Sequence, residues 1–131
     1  MGGRGSRSGI SKYKYGENFN LLFQYNNIKF VRDNKKSSSS SPIESMTKHR
    51  VYVSVDRNNN LRTVSFMDKD GERYKRIDLK GNAHIQNGER ISTPHVQFGK
   101  ERAYFTRKLS KKEKRLIYKI NKVWREFNNE N

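Results

Sequence analysis

The carboxyl-terminal segment limits the fold of this chain more than any other feature. Ser110 and Glu113 stand there at the S-x-x-E spacing of a capping box, in which each residue bonds the backbone N–H of the other. Apolar side chains then recur at spacings of three and four positions: Leu116, Ile117, Ile120, Val123, Trp124 and Phe127. At about 100° per residue these six lie within a wedge of about 120° on one side of a helix. We therefore predict a helix over residues 110–128 that packs on one face of a sheet.

Two regions upstream show the patterns of β-strands. Residues 18–32 contain two apolar runs separated by Asn26-Asn27, a pair that tolerates the positive φ of a two-residue hairpin turn. Residues 49–79 contain three more runs, HRVYVSVD, LRTVSFMD and ERYKRIDL, separated by short polar turns. Strands joined in this way are antiparallel. The expected fold is therefore α+β, a small antiparallel sheet of about five strands packed against the C-terminal helix.

The remaining segments have too few apolar residues to form a second core. The chain has 131 residues, of which 31% are hydrophobic, so we expect one domain. Residues 1–17 are rich in Gly, Ser and Lys/Arg and are interpreted as a flexible basic arm. Residues 18–131 are assigned to a single α+β domain, with a mobile Ser-rich loop at 34–47 and an irregular loop at 81–99.

The charge of the chain indicates the class of its partner. Lysine and arginine total 29 against 13 aspartates and glutamates, a formal net charge of +16. Such an excess attracts polyanions, and strongly basic domains are typical of nucleic-acid-binding proteins. The absence of cysteine excludes disulfides, thiolate metal sites and cysteine nucleophiles. No apolar run is long enough for a membrane span, so we expect a cytoplasmic protein with no membrane partner and no cofactor.

The polar face of the predicted helix carries cations almost exclusively. Opposite the apolar wedge lie Lys111, Lys114, Arg115, Lys119, Lys122 and Arg125. The plainer interpretation is a solvated face, but a face selected for helix stability would mix charge signs at i,i+4. Lys111 and Lys112 also stand at the positive end of the helix dipole, which costs a few tenths of a kcal/mol each, about 0.3 or more. This pattern favours a phosphate-binding role.

Cations interleaved with aromatic residues extend the predicted site. Arg107 and Lys108 precede the helix, close to Tyr104 and Phe105, although one of these two aromatics is expected in the core. A second cluster lies in the basic arm: Lys12, Tyr13, Lys14 and Tyr15. Lys and Arg contact phosphates while flat rings stack on exposed bases. No base-reading motif is present, so we expect backbone recognition of DNA or RNA with little sequence preference.

Two histidines allow an enzymatic alternative. His84 and His95 lie near Arg90, Lys100 and Arg102, and such a set is able to act as general base, general acid and phosphate-stabilising cation in a small metal-independent ribonuclease or toxin. With Asp78, the same histidines form a candidate metal-ligand set. Both spacings are equally compatible with ordinary loop histidines, and the non-enzymatic interpretation is preferred.

Three segments resemble a family of phage proteins. The opening M-G-G-R-G-S-R-S-G, the segment T-P-H-V-Q-F-G at 93–99 and L-S-K-K-E-K-R-L-I-Y-K-I-N-K-V-W at 109–124 are similar to small uncharacterised proteins encoded by phages and prophages of low-GC Gram-positive bacteria. That resemblance implies binding to nucleic acid or to a ribonucleoprotein. It also implies an inhibitor of a host defence nuclease, anti-CRISPR-like, that docks on an acidic protein surface. Gln97 stands where the family often has a second histidine or aspartate, which disfavours a nuclease.

Overall fold

The computed structural model describes residues 19–34 and 41–130. The predicted basic arm and residues 35–40 of the predicted Ser-rich loop lie outside the described residues. The described elements, in chain order, are β1 (Phe19–Tyr25), β2 (Ile28–Asp33), β3 (Val51–Val55), β4 (Leu61–Met67), β5 (Arg73–Asp78), β6 (His84–Gln86), β7 (Glu89–Ile91), β8 (His95–Phe98), β9 (Phe105–Arg107) and α1 (Lys111–Glu130).

The sheet confirms the α+β class but is larger than predicted. Seven strands form one sheet in the order β1-β2-β3-β4-β5-β8-β9, and β6 and β7 form a separate hairpin. The five strands expected from the sequence are β1 to β5, and β8 and β9 extend the sheet beyond β5. The β3-β4-β5 meander is antiparallel, as predicted.

One strand pair is parallel, which the sequence analysis did not anticipate. β2 pairs with β3 in parallel, so that Ile28 lies opposite Val51 and Val31 opposite Ser54. A parallel pair needs a connection that returns to the same end of the sheet, and residues 34–50 provide it. The β1–β2 hairpin turns at Asn26-Asn27 as predicted, with φ of 54° at Asn26.

The connection after β2 is hydrogen-bonded to the sheet over the part that the structure describes, and the mobility of the loop at 34–47 stays a prediction. The Ser45 amide donates to the Gly71 carbonyl at 2.7 Å, and the Arg73 amide donates to the Ile43 carbonyl at 2.9 Å. Gly71 has φ of 77°, and a Cβ at this position would collide with the Ser45 carbonyl oxygen. The Arg73 guanidinium also donates to Ser41 Oγ at 2.6 Å. Residues 41–45 therefore pack along the start of β5.

The segment at 81–99, predicted as an irregular loop, contains three strands. The β6–β7 hairpin turns at Asn87-Gly88, where both residues have positive φ, of 52° and 80°. Asn-Gly is the pair that a type I′ hairpin turn favours. β8 then enters the main sheet beside β5, with Asp78 opposite His95.

The core lies between one face of the sheet and α1. Strand register places one buried apolar residue from each of five neighbouring strands in a row across the sheet: Phe30, Val53, Val64, Ile77 and Val96. The helix covers this row with Ile120, Val123 and Trp124, and the Phe30 and Trp124 rings stack with centroids 5.2 Å apart. Each such side chain contributes about 1.5–3 kcal/mol when fully buried. The predicted apolar wedge is therefore the surface that fixes the orientation of the helix.

The opposite face of the sheet buries polar side chains. A small apolar cluster of Val31, Tyr52 and Met67 lies on it. Ser65, His95 and Gln97 on the same face are almost completely buried. This face is consequently a second interior surface, with a polar part that the sequence pattern did not indicate.

Candidate nucleic-acid interface

The capping box fixes the start of α1. The Ser110 amide donates to Glu113 Oε1 at 2.8 Å, and the Glu113 amide donates to Ser110 Oγ at 3.2 Å. These reciprocal bonds satisfy two backbone donors that a helix terminus leaves without intrahelical partners. The helix spans Lys111–Glu130, against the predicted range of 110–128, so it begins one residue later and ends two residues later than predicted.

Glu113 also ties the helix to the sheet. Its carboxylate accepts both terminal nitrogens of Arg107 at 2.8 Å and the Lys75 ammonium at 3.0 Å. The bonds from Arg107, with those from the Ser110 amide and Lys75, hold the pKa of the Glu113 carboxyl well below its usual range. The same contact raises the pKa of Arg107. Arg107, predicted to contact nucleic acid, thus connects β9 to the first turn of α1.

The remaining predicted cations of the helix face solvent. Six side chains form this surface, which we call the basic face: Lys111, Lys114, Arg115, Lys119, Lys122 and Arg125. Each is exposed, and none forms an ion pair with a carboxylate of residues 19–34 or 41–129, the part of the chain whose side chains the structure describes. The Lys119 ammonium lies 5.3 Å from the centroid of the Tyr25 ring, a cation–π contact. The basic face therefore carries positive charge that neighbouring acids do not neutralise.

An exposed tyrosine interrupts the basic face near its middle. Tyr118 leaves 69% of its surface in solvent, one helical turn after Lys114 and one turn before Lys122. Tyr118 is not among the site residues predicted from the sequence. At 100° per residue it lies about 160° from Ile120, well outside the apolar wedge, and an aromatic residue in that position was the available signal. A flat ring among cations suits stacking on an unpaired base.

The segment before the helix is largely exposed. Tyr104 and Phe105 are both exposed, so the expectation that one of them belongs to the core is wrong. Lys108 is exposed and lies 3.6 Å from Glu89, an ion pair between two solvated side chains. The predicted contacts at Lys12, Tyr13, Lys14 and Tyr15 lie outside the described residues.

The histidine pair does not form an accessible site. His95 is completely buried, with Nδ1 3.0 Å from the Ile91 carbonyl oxygen and Nε2 3.1 Å from Asp78 Oδ2. Gln97 donates to the same carboxylate oxygen. His84 is exposed, and its ring meets the edge of His95 at a centroid distance of 5.4 Å. Both nitrogens of His95 thus contact protein groups, which disfavours the proton transfer that the enzymatic alternative requires.

The described residues contain no cluster of three His, Asp or Glu side chains arranged to hold a metal ion. Asp78, His84 and His95 therefore do not assemble as the metal-ligand set considered from the sequence. Among the described residues, no helix has both the length and the apolar character needed to cross a bilayer.

Comparison with known proteins does not connect the chain to a family. No family model, no curated protein and no solved structure matches it. The function is therefore inferred from the surface of the chain.

Proposed function

We propose that this chain is a non-enzymatic protein that binds the phosphate backbone of nucleic acid through the basic face of α1. The observation that carries the proposal is the set of six exposed cations, unpaired within the described residues, on one side of a single helix. From Lys111 to Arg125 the helix rises about 21 Å, at about 1.5 Å per residue. One strand of a duplex carries a phosphate per about 3.4 Å of axis, so about six phosphates match this length.

The charge distribution along the helix supports a role outside folding. Lys111 and Lys112 occupy the first turn beside a single acid, Glu113, and the last turn contains no basic residue. A helix is stabilised by acids at its N-terminus and bases at its C-terminus, and apart from Glu113 the charges at the two ends of α1 do not follow this arrangement. A polyanion bound along the basic face removes the repulsion among these cations. Cations that are unfavourable for the stability of the helix then contribute to binding.

A salt series tests the proposal directly. We expect the logarithm of the association constant for a short DNA or RNA single strand to fall with the logarithm of salt concentration at a slope of about −4, since about six contacts each contribute about −0.7. Affinity then falls by about two orders of magnitude between about 50 and 200 mM salt. Fluorescence anisotropy with a labelled oligonucleotide measures the slope. A slope near zero would refute backbone binding.

Replacing Tyr118 separates stacking from charge. Tyr118→Ala is expected to lower affinity for single strands about tenfold, because stacking on an aromatic ring contributes about 1–3 kcal/mol per base. Duplex affinity should change little, since paired bases are not available for stacking. Tyr118→Phe keeps a ring and should bind as the parent does. An equal loss on single strands and duplexes would contradict a stacking role.

A second candidate function is inhibition of a nucleic-acid-dependent defence nuclease in the cytoplasm of a bacterial host, with an acidic protein surface or a ribonucleoprotein as partner. The observation that favours it is Tyr104, 77% exposed and adjacent to the exposed Phe105, because exposed aromatic residues are enriched in protein interfaces. Pull-down from the host before and after nuclease digestion distinguishes the two functions. Retention of a protein partner after digestion supports the inhibitor, and its loss favours direct binding to nucleic acid.

A further inference from the structure

A groove runs along one side of α1, next to the basic face. Its volume is about 350 Å³, and its walls include Leu79 and Pro94 on the sheet side and Ile117 on the helix. Trp124 also lines it, and the indole nitrogen of this residue donates to the Asn59 carbonyl at 3.3 Å. The indole therefore has its polar atom satisfied and presents carbon atoms to the groove. Ligand pockets begin at about 300 Å³, so the groove suits a small ring system.

The rim of the groove is polar and cationic. Asn60 and Asn121 line it with exposed amide side chains, neither of which has a hydrogen-bond partner among the described side chains of residues 19–34 and 41–129. Lys80 lies on the sheet side of the same rim and is exposed. An amide offers both a donor and an acceptor, the combination that the Watson–Crick edge of a base presents. A purely aliphatic ligand could not form hydrogen bonds with the two amides or an ion pair with Lys80.

The helix joins the groove to the basic face. Asn121 follows Lys114 by seven residues and precedes Arg125 by four, so the three side chains lie along one side of α1. A strand that follows the basic face therefore passes the mouth of the groove, with Lys80 on the opposite lip. When one base of the strand turns toward the protein, its two flanking phosphates therefore lie close to Lys80 and to the basic face.

We propose that this groove holds one unpaired nucleobase of a single strand bound along the basic face. The inference rests on the proposed function and makes it more specific, since it names single-stranded nucleic acid as the preferred ligand. The apolar walls contact the faces of the base, the two amides hydrogen-bond its edge, and the flanking phosphates lie against Lys80 and the basic face.

The only tryptophan of the chain provides the test, because Trp124 lines the groove. Its emission is recorded while the full chain is titrated with a ten-nucleotide single strand or with inorganic polyphosphate, which carries the charge but no base. We expect a change in Trp124 emission that saturates with the single strand and no change with polyphosphate. Binding of both with the same emission response would overturn the base site and leave the proposed function standing. Absence of oligonucleotide binding would overturn both.

A variant of the rim provides a second measurement. Asn121→Leu removes one amide, and leucine is a better helix former than asparagine, so α1 is not weakened. We expect single-strand affinity to fall about tenfold, the effect of losing a hydrogen bond to a base and narrowing the groove. Binding of polyphosphate by the same variant reports that the basic face is intact. Unchanged single-strand affinity in this variant would count against the groove.

Discussion

Reversal of Lys114, Arg115 and Lys122 to glutamate is expected to lower the affinity for both single- and double-stranded nucleic acid at least about 100-fold at low salt. Each lost charge-assisted contact with a phosphate contributes at least about 1 kcal/mol, and each introduced carboxylate adds repulsion. The slope of the salt dependence should also fall in magnitude by about 2, since three contacts disappear at about 0.7 each. Anisotropy titrations at several salt concentrations measure both quantities.

A matched control keeps the change in net charge and moves it away from α1. Lys48, Lys69 and Arg90 are exposed and lie outside the helix. Their reversal to glutamate lowers the net charge by the same amount and should retain most of the affinity. Circular dichroism of both variants checks that α1 is intact, since an acid at Lys122 lies four residues before Glu126 and repels it. Equal losses in both variants would mean that overall charge, and not the basic face, determines binding.

Replacement of Glu113 by glutamine is expected to lower the free energy of unfolding by about 2 kcal/mol at neutral pH. Removing one partner of a buried ion pair costs about 3–5 kcal/mol, and the partial exposure of Arg107 lowers this figure because its guanidinium regains water. The loss falls on the junction of β5, β9 and α1, since Glu113 binds residues of the first two elements. Urea denaturation followed by circular dichroism measures the change. Glu126→Gln, the same substitution at an exposed site of the helix, should shift the free energy by less than about 0.5 kcal/mol.

The Glu113 contribution should also depend on pH in a defined direction. Its pKa is lower in the folded chain than the ordinary value of 4.5, so the unfolded chain binds a proton first as the pH falls. The stabilisation is complete at neutral pH and is lost progressively below the ordinary value, toward the lower folded pKa. The difference in stability between the parent chain and Glu113→Gln should therefore narrow below pH 4.5. A constant difference down to acid pH would show that the carboxylate charge is not its source.

Short-range patterns predicted the parts of the fold that depend on neighbours in sequence. The helix followed from apolar spacing and the Ser110–Glu113 pair, and the first hairpin from Asn26-Asn27. These signals come from interactions among residues within about two turns or one hairpin, which the sequence displays directly. The five strands β1 to β5 were predicted for the same reason.

The extra strands and the parallel pair depended on information that local patterns do not contain. In β8, Val96 and Phe98 point to the helix side while His95 and Gln97 point to the opposite face. Because that face buries polar side chains, β8 has no apolar residues on one of its two sides. Its sequence is therefore similar to that of a loop. The pairing of β2 with β3 joins residues separated by more than 20 positions, and no local signal specifies it. Asn87-Gly88, by contrast, is a hairpin signal that the sequence displays directly.

The candidate site divides in the same way. The six cations of the basic face were assigned from helical periodicity alone, and each is exposed in the structure. Tyr118 could have been found by the same periodicity. The role of Arg107 could not have been predicted from helical periodicity, because its contact with Glu113 requires β9 to lie beside the first turn of α1. The groove combines residues from the β3–β4 turn, the end of β5, the loop before β8 and the helix, and only the assembled fold brings them together.

The two outer strands of the seven-stranded sheet differ in how they resist association with another molecule. β9 has three residues and is followed by Lys108, and a short strand flanked by cations is a poor template for a further strand. β1 has seven residues and no charged side chain, and no described strand lies beyond it. The net charge of +16 on the full chain opposes pairing of this edge strand with the same strand of a second copy. Concentrated solutions of the protein should consequently be kept at low ionic strength, because dissolved salt screens this repulsion and shortens its range.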